Sequence, residues 1–189
     1  MIAINEIVAA SHFFIARSVR PGDTVVDATA GNGGDTVFLA GLVGPAGRVH
    51  AFDIQKTALD RAGKRLKEEG LEERVRLHLA SHARMAEYID RPVQGIMFNL
   101  GYLPGGDKEV ITRPRETLGA LASGLSLLGP GGLISITTYP GHPGGEEEEQ
   151  GVAGWCAGLE PRRYTVFHLQ VLNRLKPPPG LWLIRGENI

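Results

Sequence analysis

The sequence predicts an α/β fold in which a mostly parallel seven-stranded sheet carries helices on both faces. Apolar, β-branched runs alternate with helical patterns along the whole chain, and no repeat or linker interrupts them. The length of 189 residues suits one domain. Glycine occurs 26 times without a Gly-X-Y period and beside 42% hydrophobic residues, so the glycines mark turns in a packed protein. We therefore expect a single domain over residues 1–189.

Composition excludes several classes of protein. The 20 Lys and Arg residues and 21 Asp and Glu residues leave a net charge of −1, which excludes a polycation that coats nucleic acid. The single cysteine, Cys156, excludes an internal disulfide, and the six histidines lack ligand spacing, so no metal is expected. The chain has no apolar run of the roughly 18 residues that span a membrane, and no basic start typical of a signal peptide. We expect a cytoplasmic protein that does not contact membranes.

Seven segments have the composition of strands. The last two are joined by a Pro-rich connection that has no room for a crossover helix, so we expect them to pair antiparallel. The predicted strands are 24–28, 48–53, 75–80, 93–100, 133–138, 164–172 and 181–185.

Helical periodicity fills the intervals between these strands. An apolar helical stretch at 37–43 follows the first strand, and Gly70 ends a second helix predicted for 57–69. A third helix, predicted for 112–128, stops at Gly129 and Pro130. The last, at 145–159, begins with four glutamates that suit the positive end of its dipole.

A glycine-rich loop follows the first predicted strand, with the sequence Asp-Ala-Thr-Ala-Gly-Asn-Gly-Gly-Asp at residues 27–35. Such loops let a ligand approach the backbone at the carboxyl edge of a parallel sheet. Thr36 stands where a dinucleotide fingerprint needs its third glycine, and no Walker motif occurs. Asp53 ends the second strand, where a carboxylate reaches the two hydroxyls of a ribose. These features predict a nucleoside ligand without a pyrophosphate, and the alternative is a turn that only packs helix on strand.

The turn after the third predicted strand has two interpretations that can coexist. By its position, Ser81-His82 borders the adenine of such a ligand. Ser81 is also a candidate N-cap for a helix that carries Met85 and Tyr88.

The fourth predicted strand ends in Asn-Leu-Gly-Tyr-Leu-Pro at residues 99–104, at the same edge of the sheet. A nitrogen nucleophile must arrive neutral, and the Asn99 oxygen and Leu100 carbonyl can accept its N–H groups, while Tyr102 can stack on a base. The alternative is a turn that only closes the strand. After the fifth strand, His142 is either a substrate-positioning group or a histidine satisfied by solvent.

These motifs resemble those of known enzymes. The loop and Asp53 look like the first motif and the ribose-binding acid of class I S-adenosylmethionine (SAM) methyltransferases, with Thr29 where glycine is commonest. Residues 99–108 and 139–145, and Asn173 ahead of two prolines, closely resemble the MnmM-like family, whose members are also called rRNA methylases. The resemblance implies a Rossmann-like class I methyltransferase. It also implies methyl transfer to the amine of 5-aminomethyl-(2-thio)uridine at the wobble position of tRNA.

The resemblance extends to site residues, and places an N-terminal helix at 1–20 over the cofactor cleft with His12 nearby. The residues implied in cofactor binding are Asp27, Thr29, Gly31, Asn32, Gly33, Asp35, Thr36, Asp53, Gln55, Ser81, His82 and Asn99. The implied catalytic residues are Asn99, Tyr102, Tyr139 and His142. The implied substrate or RNA contacts are Tyr102, Asp107, Lys108, Arg113, Asn173, Arg174 and Lys176.

Several alternatives stay open at the level of sequence. Five basic residues against two acidic ones between 160 and 189 suit a rim for the anticodon region of tRNA, although such residues also form ordinary solvated faces. A methyltransferase for rRNA or a small amine would share the cofactor site, and a SAM- or RNA-binding module would not need the Asn99 turn. Thr36 disfavours a dinucleotide oxidoreductase. A homodimer is possible.

Overall fold

A computed structural model describes residues 4–101, 114–141, 143–173 and 177–187 of the chain. Strands and helices alternate through these residues, as the sequence predicts. The helices are α1 (Ile4–Ser18), α2 (Gly34–Val43), α3 (Lys56–Glu68), α4 (Pro114–Leu127) and α5 (Gly145–Ala157). The strands are β1 (Thr24–Asp27), β2 (Arg48–Asp53), β3 (Val75–Leu79), β4 (Val93–Asn99), β5 (Leu128–Thr138), β6 (Tyr164–Gln170) and β7 (Gly180–Gly186).

The seven strands form one sheet in the order β3-β2-β1-β4-β5-β7-β6. β1 pairs in parallel with β2 and β4, and the outer pairs β2–β3 and β4–β5 are parallel as well. β7 runs antiparallel to both β5 and β6. The predicted fold class, including the antiparallel last strand, is confirmed.

The core lies in two layers, one on each face of the sheet. On one face, α1, α2 and α3 pack through residues such as Ile15, Leu39 and Leu66. On the other face, α4 and α5 pack through residues such as Leu121 and Val152. Helices on both faces are typical of a sheet that is buried on two sides. Among the described residues, no helix combines the length and apolar character that a membrane span requires.

One strand begins earlier than the sequence predicts, and one helix is of the 3₁₀ type. β5 begins at Leu128, which pairs with Val93, whereas the predicted strand begins at Leu133. The Gly and Pro signals that end α4 mark the end of a helix, but they carry no information about pairing with a distant strand. After Ser81 the chain forms the expected helix as a 3₁₀ helix, His82–Glu87, which contains Met85 and ends at the C-cap Tyr88.

The packing of α1 depends on a close approach to β4. Ile15 of α1 and Val19, the residue that follows the helix, are buried against the sheet, and a Cβ atom on Gly95 would lie 2.8 Å from Val19 Cγ2. The Ser11 hydroxyl donates a hydrogen bond of 2.9 Å to the Ser135 hydroxyl, which links the same helix to β5. The glycine in β4 therefore lets the N-terminal helix lie directly on the sheet.

Gly95→Val should lower the free energy of unfolding by about 1–3 kcal/mol, because an overpacked core forces stiff side chains and backbone to shift. Urea unfolding of the purified protein measures this effect. Gly41→Ala is the control, since a Cβ atom at this helical glycine meets nothing within 4 Å. It should raise the stability by about 0.5–1 kcal/mol. Equal stability of Gly95→Val and the unaltered protein would contradict the close-approach argument.

Candidate active site

The loops that follow β1 to β5 surround a cavity of about 660 Å³ at the carboxyl edge of the sheet. Parallel strands bring all of these loops to one edge, which is where ligands of open α/β sheets bind. The volume is that of a site for a ligand of nucleoside size or larger. Val8 of α1 also lines the cavity, so the N-terminal helix reaches this edge.

Asp27 supports the glycine-rich loop from below. The side chain is fully buried, with Oδ1 accepting the Thr29 N–H at 3.1 Å and Oδ2 accepting the Thr36 hydroxyl at 2.5 Å. Burial, followed by the nearby charge of Asp35, raises the pKa of Asp27 to about 7. Asp27 thus braces the loop instead of lining the cavity.

Asp53 lines the cavity in a fixed orientation. The N–H of Gly31 donates to Oδ2 at 2.9 Å, and the N–H of Gln55 donates to Oδ1 at 2.8 Å. Each carboxylate oxygen keeps a further lone pair for a ligand hydroxyl. Gly33 has a φ of 80°, and a Cβ atom there would lie 2.9 Å from Ala62 Cα, so glycine lets the loop pack on α3.

The turn after β3 lines the cavity with Ser81 and His82. Ser81 Oγ accepts the Ala83 N–H at 3.3 Å, so the predicted N-cap exists, although it caps a 3₁₀ helix. His82 Nδ1 lies 3.0 Å from the Ala28 carbonyl oxygen, which can only accept, so Nδ1 carries a proton. Burial lowers the pKa of His82. The neutral ring then presents Nε2 as an acceptor.

A chain of polar contacts crosses the end of β4. Tyr139 donates its hydroxyl to Asn99 Oδ1 at 2.8 Å, and Asn99 Nδ2 donates to Asp35 Oδ2 at 3.3 Å. Asp35 Oδ1 lies 2.7 Å from Nε2 of His12, a residue of α1. The backbone N–H of Asn99 donates to Thr29 Oγ1 at 2.8 Å, which joins this group to the glycine-rich loop. Burial, and then the charge of Asp35, raises the pKa of Tyr139, so its hydroxyl stays a donor.

The structure brings most of the described candidates to the cavity wall, and separates others from it. Three predicted cofactor contacts, Asp27, Gly33 and Thr36, are absent from the wall and shape the loop behind it, while Asn173 is exposed elsewhere. The candidates on the wall are Thr29, Gly31, Asn32, Asp35, Asp53, Gln55, Ser81, His82, Asn99 and Tyr139. The candidates outside the described residues are Tyr102, Asp107, Lys108, Arg113, His142, Arg174 and Lys176.

The sequence predicts Asp35 as a cofactor contact but does not indicate its bond to Asn99. It predicts His12 near the cleft but does not indicate that Asp35 is its partner. The only signal available was the position of each residue beside a motif, and a contact across 64 residues leaves no local pattern. Within the described ranges, no group of three His, Cys, Asp or Glu side chains is arranged to hold a metal ion.

The strand order, the glycine-rich loop after β1, the acid at the end of β2 and the asparagine at the end of β4 together define a class I methyltransferase. Residues 49–185 match the family described as "Putative rRNA methylase". The chain belongs to this family, so the resemblance found in the sequence is confirmed.

Solved structures and a curated relative agree with this assignment. A "putative rRNA-methylase" from Clostridium thermocellum superposes with a TM-score of 0.93 at 44% identity, over 95% of this chain and 96% of that one. A "putative methyltransferase" from Streptococcus mutans, in complex with SAH, superposes with a TM-score of 0.88 at 35% identity, over 98% of this chain and 99% of that one. The chloroplastic tRNA (mnm(5)s(2)U34)-methyltransferase of Arabidopsis thaliana is 39% identical over 188 residues, which cover 94% of this chain and 69% of the relative.

The raised pKa of Asp27 predicts a pH-dependent stability of the ligand-free protein. Because the folded state holds this proton up to a pH of about 7 and the unfolded state releases it near 3.8, stability falls as the pH rises between these values. From pH 5 to pH 8 the free energy of unfolding should fall by about 2 kcal/mol more than in Asp27→Asn, which keeps the side-chain shape. Urea unfolding at both pH values measures this difference, with exposed Asp60→Asn as control. Parallel pH profiles for Asp27→Asn and the unaltered protein would show that the carboxyl is ionised throughout.

Proposed function

We propose that the protein transfers the methyl group of SAM to the amine of 5-aminomethyl-(2-thio)uridine at the wobble position of tRNA. The observation that carries the proposal is the Asn99–Tyr139 pair, which lies on the wall of the same cavity as Asp53. An acceptor suited to an amine and a carboxylate suited to a ribose on one cavity wall support this reaction. The identity to a chloroplastic tRNA methyltransferase over nearly the whole chain supports the choice of substrate.

The residues on the cavity wall fit SAM. Asp53 would accept the two ribose hydroxyls, since both of its oxygens are already oriented by backbone N–H groups. Ser81 and the acceptor Nε2 of His82 would border the adenine. Phe52 adds apolar surface to the wall. When bound, SAM supplies an electrophilic methyl group on a sulfonium that becomes a neutral thioether.

The reaction needs a neutral amine with its lone pair directed at the methyl carbon. Asn99 Oδ1 accepts one hydrogen bond from the Tyr139 hydroxyl and keeps a second lone pair. Leu100 lies on the same wall, so the Asn99 side-chain oxygen and the Leu100 carbonyl oxygen can both accept amine N–H groups. These two acceptors orient the nitrogen lone pair towards the methyl carbon. The nitrogen–carbon bond forms as the carbon–sulfur bond breaks, and the electron pair of the broken bond stays on sulfur. The product leaves as an ammonium ion, the form of an alkylamine at neutral pH. The buried carboxylate of Asp35 stabilises the positive charge that develops on the nitrogen.

Recognition of the RNA is the part of the proposal that rests on sequence alone. Tyr102 would stack on the base, and Lys108, Arg113, Arg174 and Lys176 would contact phosphates of the anticodon region. A second candidate, methylation of rRNA, is favoured by the description of the family. Both reactions would use the same cofactor site.

Asp53→Ala should weaken SAM binding by about 1.5–3 kcal/mol, the cost of removing hydrogen bonds to a charged acceptor. Titration calorimetry on the folded variant measures the affinity. Asp60→Ala is the matched control, because Asp60 is an exposed carboxylate on α3 that pairs with Lys56. An unchanged SAM affinity in Asp53→Ala would remove Asp53 from the cofactor site.

The protein should methylate tRNA taken from cells that lack this modification. We expect nucleoside mass spectrometry after incubation with SAM to show 5-aminomethyl-(2-thio)uridine converted to its N-methyl form. Asn99→Ala should slow single-turnover transfer by roughly 100-fold, about 2.7 kcal/mol, because it removes the oxygen that orients the amine. Its SAM affinity should stay close to that of the unaltered protein.

Parallel incubations with ribosomal RNA and with a small primary amine distinguish the alternatives. Methyl transfer to ribosomal RNA alone would reject the tRNA proposal and keep the methyltransferase assignment. An unchanged rate in Asn99→Ala would make the turn after β4 structural, and the orienting role would then pass to Tyr139 or His142.

A further inference from the structure

Two residues of α2, Asp35 and Phe38, fix the ring of His12. It stacks on Phe38 with centroids 3.7 Å apart and an interplanar angle of 3°, and its Nε2 lies 2.7 Å from Asp35 Oδ1. The side chain is only 28% exposed. The N-terminal helix thus delivers a ring nitrogen to a buried carboxylate on the cavity wall.

The helix does not need this polar contact in order to stay on the sheet. Ile7 and Ile15 of the helix bury their side chains beneath it, and the Ser11 hydroxyl donates to the Ser135 hydroxyl. A buried charge such as Asp35 is costly unless it is paired and hydrogen-bonded. The hydrogen bond from His12 therefore stabilises the buried Asp35 carboxylate, and the packing of the helix does not depend on it.

Asp35 determines the orientation of the Asn99 carboxamide. A carboxylate only accepts hydrogen bonds, so the group that faces Asp35 Oδ2 at 3.3 Å must be the Nδ2 amide. The Tyr139 hydroxyl donates to the opposite side, which must be Oδ1. A carboxamide turned the other way would present N–H groups where the amine needs an acceptor.

We propose that His12 is a positioning residue that acts through Asp35 to hold the Asn99 carboxamide with its oxygen available to the amine. The catalytic consequence rests on the function proposed above. The geometric consequence does not, because it concerns only the orientation of Asn99 in the protein.

Two substitutions separate the hydrogen bond of His12 from its ring stacking. His12→Phe keeps an aromatic ring on Phe38 and removes the N–H donor, so single-turnover methyl transfer should fall roughly 10-fold to 100-fold. His12→Gln loses the ring but keeps an amide N–H near the Nε2 position, and should retain the rate within about 3-fold. SAM affinity should stay within about 2-fold in both variants, which distinguishes positioning from cofactor binding. Phe13→Ala, at a half-exposed neighbour on α1, is the control and should show the unaltered rate.

A double-mutant cycle tests whether His12 acts through Asn99. Adding His12→Phe to Asn99→Ala should cost nothing further, because the group that His12 positions is already gone. Additive losses would overturn the proposal. A normal rate in His12→Phe would overturn it as well, and so would a His12→Gln variant as slow as His12→Phe.

The amide signals of Asn99 give a test that needs no RNA. In ¹⁵N-labelled protein, two-dimensional NMR resolves the side-chain NH₂ pair, which Asn99→Ala identifies by its loss. His12→Phe should shift or broaden this pair, whereas His12→Gln and Phe13→Ala should leave it in place. If the unaltered protein fails to methylate tRNA, the proposed function fails and these signals still decide the role of His12. Unchanged Asn99 signals in His12→Phe would reject that role.

Discussion

The parallel pairing of β1 with β2 and β4 is the constraint on which the site depends. Strands that run the same way end at one edge, and each must be followed by a loop there. The acid that ends β2, the turn after β3 and the asparagine that ends β4 therefore meet around one cavity, although they are far apart in the chain. The antiparallel β7 extends the sheet beyond β5, and β6 forms its outer edge.

Charge inside the glycine-rich loop is the second determinant of the site. Asp27 and Asp35 are two buried carboxylates from one short segment, and the repulsion between them contributes to the raised pKa of Asp27. Each has a separate set of partners. Asp27 bonds to the loop backbone and to Thr36, whereas Asp35 faces His12 and Asn99. Asp27 therefore stabilises the loop itself, whereas Asp35 lies on the cavity wall.

The cavity wall has two parts that are held in different ways. The Asp53 carboxylate is held by the backbone N–H groups of Gly31 and Gln55. Asn99 and Tyr139 are held by side chains, and this is the part of the wall that would meet the nucleophile. In the proposed reaction the first part would hold SAM and the second would orient the amine.

The sequence by itself determined the alternation of strands and helices, the antiparallel end of the sheet and the loop with its acid at Asp53, because each depends on periodicity or spacing among near neighbours. Only the tertiary structure decided that Asp27, Gly33 and Thr36 lie behind the cavity wall. It also decided that β5 starts at Leu128 and that His12, Asp35, Asn99 and Tyr139 form one chain of contacts. Those facts depend on which side chains meet across the sheet, and residues 23 to 64 positions apart carry no local pattern that reveals their contact.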